Sequence, residues 1–211
     1  MSALQQALAA DPVVAVIRHL DPAVALEIAR AAAAGGIRVL EITFTVPDAP
    51  QVIATLVAEL PDAVVGAGTV LTVEQVDAAA DAGAAFIVSP VTDPIVGAHC
   101  RTRGIPYIPG AFTPTEVAAA ANAGAAAVKI FPASTLGVGF VASLGEVLPH
   151  VSLMPTGGIA ADQVGEWLAA GATAVGIAGA LGAAWRRGGA AAVQTTAAEA
   201  IASAATRRST T

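Results

Sequence analysis

"AANAGAAAVKIF", residues 120–131, passes from an alanine-rich segment through a single glycine into a short apolar run. The alanines suit a helix, and the glycine suits the left-handed position that follows a helix C-terminus. The run behind it has the length and apolar character of a buried strand. The same junction recurs at 31–42 ("AAAAGGIRVLEI"), 79–89 ("AADAGAAFIVS") and 168–179 ("LAAGATAVGIAG"). Its glycines, Gly36, Gly83, Gly124 and Gly171, stand more than 40 residues apart. That spacing is too long for one strand–helix unit and fits two.

Strands are predicted near 13–17, 37–43, 63–67, 85–89, 105–108, 127–131, 152–155 and 173–177. Helices are predicted near 21–34, 48–60, 72–82, 92–103, 114–123, 138–148 and 161–170, with further helix near 179–185 and 190–205. The stretches "DPAVALE", "PDAPQV", "TVEQV", "TPTEV" and "ADQV" place Asp, Thr or Pro at or near helix starts. Strands that alternate with helices and are apolar on both faces indicate a parallel sheet covered by helices. Eight such units in one chain favour an α/β fold of the closed (β/α)8 TIM-barrel type. No composition break marks a second domain. Residues 1–206 therefore read as a single barrel with a C-terminal helix, and 207–211 as a frayed tail.

The bulk properties exclude several functions. The chain is 55% hydrophobic and 12% charged over 211 residues, which supplies a large core and rules out a disordered composition. The formal net charge is −6 and the basic residues form no stripe, so a nucleic-acid partner is not expected. The one cysteine, Cys100, forbids an intrachain disulfide and fits a reducing, cytoplasmic setting. "MSALQQALAADP" lacks the basic segment of a secretory signal. Residues 167–185 are uncharged and long enough to span a bilayer, but four glycines interrupt them; they read as a helix end, a strand and a helix start, with no membrane partner.

In such a barrel, chemistry sits at the C-terminal ends of the strands. The first strand ends in Arg18. The second carries Glu41, Thr43 and Thr45 on one face. The third runs into "GAGTV" with Thr69, the fourth ends in Ser89–Pro90, and the fifth in Pro109–Gly110. The sixth holds Lys129 and Phe131, the seventh ends in "PTGGI" and the eighth in "GIAGAL". Lys129 is the only lysine of the chain; the nine other basic residues are arginines. A lysine and a glutamate inside strands are rarely buried unless paired or functional. One reading is a buried ion pair that only helps to specify the core. The other is reactive: an amine in a water-poor pocket is favoured as the neutral species, which attacks ketones, while a nearby carboxylate carries protons.

Other positions are open to two readings each. Gly157 and Gly158 either form a plain tight turn or let backbone N–H groups approach an anion. Arg18 is either a surface arginine or a fork for a substrate carboxylate or phosphate, with Thr69 adding a hydroxyl. His19, His99 and His150 lack metal-ligand spacing, so no metal is expected. Cys100 reads as packing.

Taken together, "VVAVIR", "GGIRVLEITFTVPDA", "VGAGTVLT", "FIVSP", "YIPGAFTPTE", "VKIFPAS" and "MPTGGI" resemble the class I bacterial 2-keto-3-deoxy-6-phosphogluconate (KDPG) / 4-hydroxy-2-oxoglutarate (KHG) aldolase family, over about residues 10–185. The resemblance implies a (β/α)8 barrel, a homotrimer, and catalysis without metal or cofactor. It implies that Lys129 forms the Schiff base and Glu41 is the general acid/base. Thr69 would contact the pyruvate carboxylate, Pro90 and Phe131 would wall the pocket, and Gly157 and Gly158 would bind phosphate. Two positions depart from the family pattern. Thr45 stands where many members have a carboxylate-binding arginine, which leaves Arg18 as the candidate replacement. Gly179 stands where a phosphate-binding serine is common, so only backbone can donate there. The expected reaction is retro-aldol cleavage of a small 2-keto acid: KDPG to pyruvate and glyceraldehyde 3-phosphate, or the same chemistry on its galactonate epimer or on KHG. A phosphate-binding barrel epimerase and a non-catalytic self-associating barrel are the rival readings.

Overall fold

The computed structural model describes residues 3–206. Helix α1 (Ala3–Ala10) leads into β1 (Val13–Ile17), α2 (Pro22–Ala34), β2 (Val39–Thr43), α3 (Ala49–Glu59), β3 (Val64–Gly68) and α4 (Val73–Asp81). The chain continues through β4 (Ile87–Val88), α5 (Pro94–Thr102), β5 (Tyr107–Ile108), β6 (Gly110–Ala111), α6 (Pro114–Asn122) and β7 (Val128–Ile130). Then come α7 (Ala133–Leu136), α8 (Val138–Val147), β8 (Leu153–Pro155), a 3-10 turn (Ala161–Gln163), α9 (Val164–Ala169), β9 (Val175–Ile177) and α10 (Gly179–Thr206).

Local chemistry accounts for many of the helix boundaries. Asp21, Thr72, Asp93 and Thr113 cap helix starts through their side chains, and proline occupies the first turn of α2, α5 and α6. The four junction glycines have φ of 103°, 88°, 85° and 102°, in the left-handed region that side chains disfavour. The long C-terminal helix is interrupted at Gly188–Gly189, where the sequence predicts a gap between two helices. Gly35 lets it lie close on α2, since a Cβ there would overlap Ala197 and the Gln194 carbonyl.

All the strands pair in parallel. They form a six-stranded sheet, β5-β4-β3-β2-β1-β9, and a three-stranded sheet, β6-β7-β8. The expected uninterrupted eight-stranded ring is therefore corrected to two sheets. Prolines explain both seams. Pro109, which has no N–H, splits the fifth expected strand into β5 and β6. Pro155 removes a donor at the end of β8, and β8 meets β9 through one isolated bridge, Thr156–Gly176. A few hydrogen bonds cross these seams: Ala126 N–H donates to the Tyr107 carbonyl (2.8 Å) and Gly110 N–H to that of Val91 (3.2 Å), and the Thr173 and Ala174 N–H groups both donate to that of Leu153 (2.9 and 3.4 Å).

Two apolar clusters lie on opposite faces of the strands. Val13, Ala15, Ile17, Leu40, Ile42, Val128 and Ile130 face the helices. Val14, Val16, Val39, Phe86, Val88, Ile108, Ala127 and Met154 form the other cluster, which Leu4 and Leu8 of α1 join. Period-two alternation puts Glu41 on the face of Val39, and Lys129 on that of Ala127. Helix α1 is absent from the sequence-based prediction, and so is the short α7. Among the described residues, no helix is long and apolar enough to cross a membrane; residues 167–185 divide into helix, strand and helix as expected. The frayed tail expected at 207–211 lies outside the described residues.

Candidate active site

Glu41 sits in β2 opposite Val16 of β1 and Gly66 of β3. Lys129 sits in β7 opposite Gly110 of β6 and Met154 of β8. The two strands are not neighbours, yet the side chains meet across the interior. The Lys129 Nζ donates to Glu41 Oε1 at 3.3 Å, with side-chain exposures of 6% and 0%. This is longer than the 2.7–2.9 Å usual for a charge-assisted bond. The other carboxylate oxygen, Glu41 Oε2, is buried and has no hydrogen-bond partner among the described residues. An unpartnered buried polar atom costs about 1–3 kcal/mol, more for a charged group. The Phe131 ring lies 5.6 Å from Nζ, within cation–π range.

Small residues make room for this pair. A Cβ on Gly68 would overlap the Glu41 carboxylate, and one on Gly110 would overlap the Pro90 carbonyl. Thr43 is fully buried; its hydroxyl donates to the Ile17 carbonyl (2.9 Å) and pairs with the Thr45 hydroxyl (2.7 Å). That contact fastens the end of β2 to the end of β1, next to Arg18. Arg18 is exposed and forms no ion pair among the described residues. Thr69, half-buried, has a φ of 56°, which is rare for a β-branched residue and marks a strained position. Its hydroxyl has no partner among the described residues.

The loops after β7 and β8 are sewn together. Ala133 N–H donates to the Thr156 carbonyl (2.9 Å) and Ser134 N–H to that of Gly157 (3.0 Å). Gly157 and Gly158 have φ of 100° and 76°, and their own N–H groups donate to no described atom. The space where a Gly157 Cβ would stand faces the Phe131 ring. Gly179 opens α10, with nothing within 4 Å of the place its Cβ would take.

The structure thus brings Lys129, Glu41 and Phe131 together, links Thr45 to the end of β1, and sets Gly157 and Gly158 against the loop that follows Lys129. Thr69 and Pro90 follow β3 and β4, and Gly179 opens α10 after β9, at the same ends of the strands, without a hydrogen bond to the pair. Nothing in the sequence marks Gly68 as part of the site; an inward acid in β2 calls for a small neighbour in β3, but only the structure reveals which one. The histidines take other roles: His19 accepts from the Asp21 N–H, and His99 pairs with Asp77. Among the described residues no His, Cys, Asp and Glu group could hold a metal ion. Cys100 is fully buried, and burial pushes its thiol up to about 11.

An inward amine against an inward carboxylate, inside parallel strands, is the equipment of carbonyl chemistry: the amine adds to a ketone and the acid moves protons. Comparison with known proteins agrees. Residues 4–195 match the family described as "Aldolase: KDPG and KHG aldolase". The 2-dehydro-3-deoxy-phosphogluconate aldolase of Treponema pallidum (strain Nichols) is 43% identical over 159 residues, 75% of this chain and 74% of that protein. A probable 2-dehydro-3-deoxy-6-phosphogalactonate aldolase of Rhizobium meliloti (strain 1021) is 37% identical over 172 residues, 81% of each. The KDPG aldolase of Legionella pneumophila, solved with pyruvate captured at low pH as a covalent carbinolamine, superposes with a TM-score of 0.81 at 30% identity, covering 93% of this chain and 97% of that one. This chain belongs to the KDPG and KHG aldolase family, and is a lyase.

Proposed function

We propose that this protein is a class I aldolase that cleaves KDPG to pyruvate and glyceraldehyde 3-phosphate. The observation that carries the reading is the Lys129 amine 3.3 Å from a carboxylate whose second oxygen is buried and unpartnered. Lys129 Nζ adds to the C2 ketone, and Glu41 protonates the resulting hydroxyl so that water leaves and an iminium forms. Glu41 then takes the proton of the C4 hydroxyl. The electrons of the C3–C4 bond flow into the iminium, and glyceraldehyde 3-phosphate departs. The enamine is protonated at C3, and water releases pyruvate and the free amine. The iminium is the electron sink, and positioned proton transfer contributes about 10²–10⁴-fold. The carbinolamine captured in the Legionella protein supports the first step.

In this reading Thr69 and Arg18 hold the pyruvate carboxylate, with Thr45 beside them, and Pro90 and Phe131 shape the pocket. Gly157, Gly158 and Gly179 face the distal phosphate. The two sheets act as one closed (β/α)8 barrel in a single domain, a reading supported by the bonds across both seams. The family resemblance supports a homotrimer, and the lone buried cysteine fits the cytoplasm. The galactonate epimer and KHG are the alternative substrates: Gly179 supplies no side chain to a phosphate, and a relative named for the galactonate compound covers most of the chain.

Borohydride reduction in the presence of pyruvate tests the chemistry. A stable pyruvyl adduct should appear on the Lys129 peptide by mass spectrometry and vanish in Lys129→Ala. A wild-type protein that gains no adduct would point to the epimerase or the non-catalytic barrel. Comparing kcat/KM for KDPG, its galactonate epimer and KHG then identifies the substrate.

A further inference from the structure

We propose that Ser134 is a specificity-determining residue whose hydroxyl binds the distal phosphate of the substrate. The inference rests on the aldolase reading and assigns a role that the reading leaves vacant. The loops after β7 and β8 and the start of α10 form one arc of the site mouth. Residues 131–137, 156–161 and 178–183 contain no lysine or arginine, although the Arg186 guanidinium folds back beside Gly182, with Nη1 3.6 Å from the place its Cβ would take. Gly157, Gly158 and Gly179 supply no side chain. The Thr156 hydroxyl is buried and donates to the Met154 carbonyl (3.4 Å).

Ser134 is fixed on this arc by its backbone. Its N–H donates to the Gly157 carbonyl at 3.0 Å, and the N–H of the preceding Ala133 to that of Thr156. Its side chain lies directly over Gly158: a Cβ on Gly158 would overlap both Oγ and Cβ of Ser134. The hydroxyl therefore lies beside the Gly157–Gly158 turn, whose N–H groups donate to no described atom. It is exposed, and among the described residues it has no hydrogen-bond partner. It stands five residues beyond Lys129 along the same strand and loop. Gly158 then has two reasons to be glycine: its φ of 76°, and the space that Ser134 occupies.

The experiment compares wild type with Ser134→Ala on a phosphorylated substrate, KDPG, and an unphosphorylated one, KHG. Loss of one hydrogen bond to a charged group should raise KM for KDPG about tenfold, with kcat changed less than twofold. Kinetics on KHG and borohydride trapping by pyruvate should stay at wild-type levels. Adding Gly179→Ser, which has open space for a side chain, should recover part of the loss for KDPG. An unchanged KM for KDPG overturns the proposal, and so does an equal loss on both substrates, which would mark a packing role. Failure of wild type to trap pyruvate would instead sink the aldolase reading itself.

Discussion

Glu41 and Gly68 show how closely the chemistry depends on single atoms. The carboxylate occupies the place a Gly68 side chain would take, so Gly68→Ala must push it away from Lys129 or bend β3. Overpacking of this kind costs about 1–3 kcal/mol. We expect Gly68→Ala to remain folded with a lowered Tm and to lose about 10²-fold or more in kcat, the order of effect that positioned proton transfer supplies. Glu41→Gln keeps the shape and removes the base; kcat should fall about 10²–10⁴-fold while Tm changes little. Steady-state kinetics beside thermal melts separates the two variants. Of this pair of positions, the acid was legible in the sequence and the glycine was not. Lys129 and Glu41 stand out as charges in apolar strands. Gly68 looks like any loop-entry glycine until the register sets β3 beside β2.

At the level of elements, the helix starts were the most readable feature because their chemistry is local. Thr113 accepts from the Glu116 N–H, and the Glu116 carboxylate accepts from the N–H groups of Phe112 and Thr113, closing a capping box. Removing it in Thr113→Ala should cost about 1 kcal/mol, read from urea unfolding. The same contacts set a pH dependence. The Phe112 and Thr113 N–H groups hold Glu116 below the usual carboxylate range, and the His99 hydrogen bond, with Arg103, does the same for Asp77 between α4 and α5. Both carboxylates bind a proton less readily in the folded chain than in the unfolded one. Their contribution is complete above the ordinary carboxylate values near pH 4 and disappears as pH falls through the lowered folded values. Melting curves from pH 6 to pH 3 should show Tm falling at the acid end, with a shallower fall in Glu116→Gln. The strand breaks were less legible than the caps. Pro109 and Pro155 are visible in the sequence, but a proline interrupts pairing only where its missing N–H faces a neighbour, and that depends on which strands lie alongside.

Across the whole molecule, the least legible part is α1, because its reason for folding lies far away in sequence. "ALQQALAA" has no charge, and the spacing of Leu4 and Leu8 by one helical turn is its hint of a buried edge. In the structure both leucines join the cluster of Phe86, Val88, Ile108, Ala127 and Met154. Met154 lies opposite Lys129 in the β7–β8 register, and Ala127 precedes Lys129 by two residues on the same face. The helix therefore seals the interior from the end away from the substrate, beneath the residues that carry the amine. Leu8→Ala should cost about 2–5 kcal/mol through lost burial and the cavity left behind, a fall in Tm of roughly 5–20 °C for a chain of this size. If α1 also keeps water from the amine, the variant should lose kcat several-fold at temperatures well below its Tm, with KM nearly unchanged. A variant that melts early yet turns over at the wild-type rate would show that α1 serves packing alone.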